Sequence, residues 1–205
     1  LGLKDSTRTE EEINQVRKLY YGFSAYCDHQ VGRLLDFLDE KGLTKNTLVI
    51  YTSDHGIDLY DHGFDNKHVY YDNTWRVPFL MRMPGTLEAG TTRDFAIWND
   101  IPATILGAAG LSSDIIQGFD LFNPLVAGER SPRRCAVSSL YKSCALATKR
   151  WKLEYYLEEG VCRLFDRERD PGEYNDLSQS EAHEKVRAAL TEALLRWRSD
   201  ILDTE

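Results

Sequence analysis

The 205-residue sequence contains no apolar run approaching the roughly 20 residues that a membrane-spanning helix requires. Basic residues are in the minority, with 25 lysines and arginines against 33 aspartates and glutamates, which gives a formal net charge of -8. This balance argues against a nucleic-acid partner, because phosphate contacts need clustered Lys and Arg. We therefore expect no transmembrane segment and no nucleic-acid surface, although the charge is compatible with a local basic pocket.

Cysteine is scarce, and none of the four cysteines stands in a C-x-x-C spacing. A zinc knuckle or a thioredoxin-like redox pair is therefore not expected. We expect buried thiols or at most one disulfide, which predicts no particular compartment. The sequence also lacks a starting methionine and the charged-then-apolar pattern of a signal peptide. Because it begins at Leu1, we expect an excised, processed or partial polypeptide.

The hydrophobic content of 42% is ample for the core of one large or two small domains. Thr9 and Glu12 have the spacing of a capping box at a helix start. A long helix is predicted to follow, to end at Gly42 and to cover one face of a sheet, with Gly22 or Gly32 as places for a break. Its apolar stripe consists of Ile13, Val16, Tyr20, Phe23, Cys27, Val31, Leu34 and Leu38.

Two strand-like segments follow this helix. Residues 47–51 are apolar on both faces, as in a strand that helices cover on both sides, and residues 77–83 form a second such run. We expect the two to pair in parallel, with a further short strand at residues 94–97. Asn99 or Asp100 then caps a helix. This order predicts an α/β segment.

Beyond residue 130 the pattern changes to short strands without helices between them, and a helix that begins near Ser180 ends the chain. Adjacent strands of this kind favour an antiparallel sheet. We therefore predict an α/β core over residues 1–130 and a small subdomain of antiparallel sheet plus helix over residues 131–205. The predicted strands are residues 135–141, 143–148, 151–157 and 162–165.

The segment from Thr52 to Lys67 says most about chemistry. It starts where the first predicted strand ends, which is where ligands collect in open α/β sheets. A turn at Gly56 can direct Asp54 and His55 to one point, and a carboxylate oxygen beside an imidazole nitrogen suits a divalent cation. Taken alone, the pair favours a structural turn with an Asx hydrogen bond. The surrounding motifs reverse that preference.

These motifs are Thr-Ser-Asp-His-Gly at residues 52–56, Asp-His-Gly at 61–63, Lys67, Arg-Val-Pro at 76–78 and Pro-Gly at 84–85. In this order they resemble the sulfatase family of the alkaline-phosphatase superfamily. Similar segments stand upstream and downstream, so that the resemblance covers nearly the whole chain. It implies an alkaline-phosphatase-like parallel or mixed sheet with flanking helices, of which residues 1–130 form the C-terminal half.

The resemblance implies roles for four residues. Asp54 and His55 correspond to the late pair of metal ligands, for Ca²⁺ in the first place, with Mn²⁺ or another divalent cation as alternatives. Lys67 corresponds to the lysine that contacts the anionic oxygens of the substrate, where an ammonium offsets developing charge. His62 corresponds to a histidine with either a catalytic role in substrate binding or proton transfer or a role in stabilising the turn.

Other polar residues near the motifs have more ordinary interpretations. An arginine just before a strand usually pairs with a carboxylate, and we expect Arg76 to pair with Asp72. His68, Tyr70 and Tyr71 either line the mouth of a pocket or pack in the interior.

One part of the sulfatase pattern is missing. The family converts a Cys or Ser in a C/S-x-P-x-R motif to formylglycine, the nucleophile, and this sequence contains no such motif. The run Ser131-Pro132-Arg133-Arg134 has the wrong spacing, and the early paired aspartates and a further histidine are also absent. The resemblance therefore implies a chain that holds the second half of the enzyme, needs the missing N-terminal half as its partner, and is inactive alone.

The resemblance implies the metal-dependent hydrolysis of a sulfate ester, carried on an anionic small molecule or a sulfated glycan. Two alternatives remain. The late metal ligands and the lysine serve a phosphodiesterase or phosphonate hydrolase equally well, because sulfate and phosphate are both tetrahedral oxyanions. A noncatalytic remnant that only binds a partner is the other alternative.

Overall fold

The computed structural model describes residues 7–92 and 94–202. Single 3-10 turns lie at Thr44–Asn46 and Glu181–His183. The helices and strands, in chain order, are α1 (Glu10–Glu40), β1 (Val49–Thr52), α2 (Asp72–Trp75), β2 (Phe79–Arg82), α3 (Asp100–Ala108), α4 (Phe122–Val126), β3 (Ala136–Leu140), β4 (Ser143–Ala147), β5 (Trp151–Tyr156), β6 (Val161–Asp166) and α5 (Glu184–Leu202).

Helix α1 begins with the predicted capping box, in which the Thr9 hydroxyl accepts from the Glu12 backbone N–H and the Glu12 carboxylate accepts from the Thr9 N–H. It runs unbroken for 31 residues, and Gly42 follows it with a φ of 68°. The expectation that α1 covers the sheet is wrong for this chain, because none of its residues is buried and Phe23 is 72% exposed. No element in the described part of the chain packs along its apolar stripe.

Strands β1 and β2 pair antiparallel, with Val49 opposite Arg82 and Thr52 opposite Phe79, so the expected parallel pairing is wrong. A parallel pair needs a crossover, usually a helix of several turns. The connection here contains only the four-residue α2, and the chain turns back instead. Residues 94–97 form no strand, whereas α3 forms where its helix was predicted.

The C-terminal part confirms the predicted antiparallel sheet plus helix. Its strand order is β3-β4-β5-β6, every neighbouring pair is antiparallel, and α5 packs on β4 and β5. Strand β4 is buried throughout, and its residues Cys144 and Leu146 pack in one core cluster with Leu194 of α5. The centre of this core consists of Cys144, Leu146, Leu153, Leu164 and Leu194.

The fold as a whole is mixed α/β, with antiparallel sheets and flanking helices. All four cysteines are free. Cys144 is buried, Cys135 and Cys162 are partly buried, and Cys27 is exposed. Among the described helices, none is both long and apolar enough to cross a membrane.

Candidate active site

Asp54 and His55 lie immediately after β1, as predicted. The Asp54 carboxylate accepts from the His55 backbone N–H at 2.9 Å and from the Ser53 hydroxyl at 3.3 Å. The hydrogen bond from His55 holds the pKa of the Asp54 carboxyl below its ordinary value. The Asp54 side chain is 73% exposed, so the carboxylate is both ionised at neutral pH and open to a ligand.

The His55 ring is oriented by its neighbours. Its Nδ1 lies 2.8 Å from the Gly56 carbonyl oxygen, which can only accept, so Nδ1 carries the proton and donates. The lone pair is therefore on Nε2, where the Lys67 ammonium donates to it at 2.5 Å. A backbone carbonyl that fixes the outer nitrogen is a common feature of metal-binding histidines. The structure thus brings Lys67 to His55 across 12 residues of chain.

The donor atoms of Asp54 and His55 suit a shared divalent cation. Asp54 Oδ2 and His55 Nε2 are 3.2 Å apart, a separation that fits two ligand atoms each bound to one ion at roughly 2.0–2.6 Å. No group of three or more His, Cys, Asp or Glu side chains with metal-binding geometry occurs in residues 7–92 and 94–202. Among the described residues, Asp54 and His55 therefore form a cluster of two candidate ligands only.

Gly56 fixes the path of the chain behind these ligands. Its N–H donates to the Thr74 carbonyl oxygen at 2.8 Å, and the next N–H, that of Ile57, donates to the Asn73 carbonyl oxygen at 3.1 Å. A Cβ at position 56 would stand 2.0 Å from the Asn73 carbonyl oxygen. Only glycine permits this approach, which ties the turn after Asp54 and His55 to α2.

His62 lies behind the exposed site. Its side chain is 10% exposed and stacks on Tyr71, with ring centroids 3.6 Å apart and planes within 3°. Nδ1 lies 2.8 Å from the Asp58 carboxylate, and Nε2 lies 2.7 Å from the Gly172 carbonyl oxygen. Both ring nitrogens therefore have structural partners, an arrangement that favours the turn-stabilising alternative over the catalytic one.

Asp58 organises this turn and escaped the sequence reasoning. Its buried carboxylate accepts from the backbone N–H groups of His62 and Phe64 and from the Asn73 side-chain amide. The segment also contains two non-glycine residues with positive φ, Leu59 at 49° and Tyr60 at 67°. The only sequence signal was the four-residue spacing of Asp58 and His62.

The C-terminal sheet holds the site segment through a buried ionic cluster. The ammonium of Lys152, on β5, is fully buried and donates to the Tyr70 carbonyl oxygen at 2.8 Å and to Asp72 at 2.7 Å. It also pairs with Glu173, and Arg167 donates to Asp72 at 2.8 Å. The expectation that Asp72 pairs with Arg76 is therefore wrong, because these two cations occupy its carboxylate.

Burial and charge act in opposite directions on the two acids of this cluster. Burial would raise the pKa of Asp72, but Lys152 and Arg167 outweigh it and hold the pKa below its ordinary value. For Glu173 burial dominates and raises the pKa, with Lys152 offsetting only a part of the effect. Tyr70 and Tyr71 are buried beside the cluster. They therefore pack in the interior and do not line the mouth of a pocket.

Comparison with known structures defines the class of protein. The phosphonate monoester hydrolase of Silicibacter pomeroyi superposes with a TM-score of 0.85 at 26% sequence identity, over 98% of this chain and 44% of that one. A second structure, in complex with its substrate D-glucosamine-2-N,6-O-disulfate, gives a TM-score of 0.77 at 28% identity, over 87% of this chain and 39% of that one. The fold is thus that of alkaline-phosphatase-like hydrolases.

The chain belongs to the sulfatase family. The sulfatase family profile matches residues 3–111, and the profile of the N-sulphoglucosamine sulphohydrolase C-terminal region matches residues 60–200. An arylsulfatase of Clostridium perfringens is 30% identical over 186 residues, which are 86% of this chain and 38% of that protein. The named relatives are sulfuric ester hydrolases, and the chain spans about two fifths of their length.

Proposed function

We propose that this chain is the later portion of a sulfuric ester hydrolase, in which Asp54 and His55 hold a divalent cation and Lys67 contacts the sulfate group. The convergence of three side chains at the end of β1 supports this proposal: Asp54 Oδ2 lies 3.2 Å from His55 Nε2, and the Lys67 ammonium lies 2.5 Å from the same nitrogen. The sulfatase profile also spans all three residues.

The cation would be held by Asp54 Oδ2 and His55 Nε2, with further ligands from the missing half. Members of this family depend on divalent metals, and we propose Ca²⁺, which prefers oxygen ligands, ahead of Mn²⁺. A cation held there would supply Lewis-acid polarisation of the ester oxygens. The Lys67 ammonium, which donates to His55 Nε2 in this structure, would contact the substrate oxygens, where it would offset charge in the transition state.

The missing half is proposed as the partner of this chain and as the source of the formylglycine nucleophile. Helix α1 presents large apolar side chains to solvent that a further domain could cover, in agreement with the length of the relatives. The most exposed of these side chains are Leu19, Tyr21, Phe23 and Tyr26, each at least 60% exposed.

Two ligands hold a cation weakly compared with the six or more of a complete calcium site. We therefore propose that the chain alone is inactive and binds metal poorly. Titration calorimetry with Ca²⁺ or Mn²⁺ tests this: no saturable binding in the low micromolar range is expected, and tight binding would contradict the incomplete site.

A second candidate function is phosphonate or phosphodiester hydrolysis, which the similarity to phosphonate monoester hydrolase favours. The test is to assay the complete polypeptide, expressed from the gene that encodes this chain, with matched nitrophenyl sulfate and nitrophenyl phosphonate esters. Faster turnover of the sulfate ester supports the first function, and faster turnover of the phosphonate supports the second. No turnover of either ester favours the noncatalytic remnant.

The relatives suggest the substrate class of the complete enzyme. One solved relative binds a disulfated glucosamine, and a curated relative from Bacteroides thetaiotaomicron is an N-acetylglucosamine-6-O-sulfatase. We propose a sulfated saccharide ahead of a simple aryl sulfate. Higher kcat/KM for sulfated disaccharides than for nitrophenyl sulfate would support this choice, and the reverse order would contradict it.

A further inference from the structure

A basic cleft lies between the α/β part and the C-terminal sheet. It has a volume of about 460 Å³ and is lined by four cationic side chains, two hydroxyl residues and a single carboxylate, that of Asp94. The cations are Arg133 and Arg134, which precede β3, and Lys149 and Arg150, which join β4 to β5. The lining of the cleft is therefore positively charged, although the whole chain has a net charge of -8.

Two of the four cations are held rigidly by buried carboxylates. Arg133 donates from two nitrogens to both oxygens of Asp100, which is fully buried, at 2.7 and 2.5 Å. Arg150 donates from two nitrogens to Asp166, at 3.1 and 2.8 Å. Paired arginines of this kind lose little conformational freedom when they meet a ligand, because their planes are already oriented.

Aromatic rings fix the same two guanidinium groups from the side. Arg150 lies 4.6 Å from the centroid of the Trp151 ring, and Arg133 lies 4.7 Å from that of the Phe119 ring. Both separations are within the range of cation–π contacts. The cleft therefore has preoriented cationic walls.

The remaining two cations are at most partly neutralised. The one lining carboxylate, Asp94, is paired closely with Arg130 at 2.5 Å and makes only a long ion pair with Lys149, at 4.0 Å. Arg134 is exposed and has no hydrogen-bond or ion-pair partner among residues 7–92 and 94–202. Lys149, 58% exposed, and Arg134 thus leave a net positive charge facing the cleft.

We propose that this cleft binds a tetrahedral oxyanion, either free inorganic sulfate or the sulfate group of a saccharide. Arg134 and Lys149 would provide the neutralising charge, and Arg150 would provide an oriented wall. An arginine and a lysine together offer several charge-assisted donors to such an anion. The choice of sulfate rests on the proposed function, whereas oxyanion binding at the cleft does not.

The test measures binding without catalysis. Titration calorimetry of this chain uses inorganic sulfate and a sulfated disaccharide as probes, in a Lys67→Ala background that removes the lysine of the candidate active site. We expect one saturable site, whose affinity falls at least about tenfold in an Arg134→Gln/Lys149→Gln variant, since a tenfold change corresponds to the loss of one modest charged contact.

The matched control is Lys142→Gln/Arg196→Gln, which removes the same charge from exposed side chains elsewhere. It should bind both probes as the parent does. An equal loss of affinity in both double variants would assign binding to net charge and overturn the proposal, as would the absence of saturable binding up to about 10 mM probe.

A further variant separates this proposal from the proposed function. Asp54→Ala should leave binding at the cleft unchanged, and loss of binding there would place the ion at the candidate active site and overturn the cleft assignment. Tighter binding of the disaccharide than of inorganic sulfate identifies the ester as the ligand, and equal or weaker binding identifies the free ion. Either ranking supports the cleft, independently of whether the complete polypeptide hydrolyses sulfate esters.

Discussion

At the scale of single residues, the candidate site depends on how its side chains are held. Asp54, His55 and Lys67 are partly or fully exposed, whereas the groups that orient the segment behind them, Asp58 and His62, are nearly inaccessible to solvent. The ligand pair takes its orientation from backbone groups one residue away. The turn behind it takes its shape from a buried carboxylate.

The two alternatives for His62 predict different results on substitution. If it stabilises the turn, His62→Ala should lower the free energy of unfolding by about 2–4 kcal/mol, because Asp58 loses a buried hydrogen-bond donor and the Tyr71 ring loses its stacking partner. Urea unfolding measures this change. His29→Ala, at an exposed position on α1, should change stability by less than about 0.5 kcal/mol. Full stability of His62→Ala would contradict the structural role.

A pair of glycine substitutions tests the path of the chain behind the candidate metal ligands, Asp54 and His55. Gly56→Ala places a methyl group 2.0 Å from the Asn73 carbonyl oxygen, and we expect a loss of about 3 kcal/mol or more in unfolding free energy. Gly22→Ala, in the open on α1, should stabilise by up to about 1 kcal/mol, because alanine favours the helix. Thermal unfolding of both variants checks the contrast, and similar effects would contradict the close approach.

The sequence predicted the exposed residues of the candidate site but not the buried residues that hold the segment in place. Asp54, His55 and Lys67 lie within 14 residues, and the motifs around them are distinctive. The partners of Asp72 come from 80 and 95 residues away, so no local pattern indicates them. Local spacing favoured Arg76 instead, since the tertiary fold that brings β5 to α2 cannot be inferred from adjacent residues.

At the scale of elements, the C-terminal sheet is the platform for the site segment. Strand β6 packs Phe165 against Phe64, Val69 and Tyr71 of that segment, and β5 contributes Lys152. The predicted boundary at residue 130 therefore separates two kinds of secondary structure that share contacts. We propose that the two parts fold together.

Removal of the buried ammonium tests this dependence. Lys152→Met should lower the free energy of unfolding by about 3–5 kcal/mol, because Asp72 and Glu173 lose their shared cation while Asp72 remains charged. Lys142→Met, also in the sheet region but paired at the surface with Glu158, should cost less than about 1 kcal/mol. Equal effects in urea unfolding would contradict the role assigned to the buried cluster.

For helix α1, the predictions from local sequence were correct, whereas those that depended on long-range packing were not. The capping box and the unbroken length follow from residues close in sequence, and both match the structure. Its coverage of a sheet depended on long-range packing, and the parallel pairing of β1 and β2 depended on the chain path between the two strands; both expectations were wrong. The antiparallel C-terminal sheet was predictable because its strands are adjacent along the chain.

An exposed amphipathic helix should be the least protected element of the isolated chain. Helices that bury no apolar face are only marginally stable in water. We expect backbone amides of α1 to exchange with deuterium well before those of β4 and β5, in the chain alone. Comparable protection of α1 and β5 would contradict the lack of buried contacts on α1. Increased protection of α1 in the complete polypeptide would support its coverage by the proposed N-terminal half.

At the scale of the whole molecule, large apolar side chains are exposed on several elements. They lie along α1 and on the β1–β2 pair, where Tyr51 is 40% and Leu80 is 56% exposed, although residues 47–51 were expected to be covered on both faces. Others, such as Ile115 and Tyr141, lie further along the chain. The candidate metal ligands lie at the end of the same strand. The exposed apolar side chain of Tyr51 is thus close in sequence to Asp54 and His55, the candidate metal ligands.

The most direct test of the central claim is hydrolysis of a sulfate ester by the complete polypeptide and its Asp54→Ala and Lys67→Ala variants. The proposal predicts that each variant folds normally, by circular dichroism and thermal unfolding, and loses at least about 10³-fold in kcat/KM, as expected when a metal ligand or a transition-state cation is removed. Asp61→Ala, which removes a surface partner of Arg17, should keep near-parent activity. Near-parent kcat/KM in Asp54→Ala or Lys67→Ala would contradict the assignment.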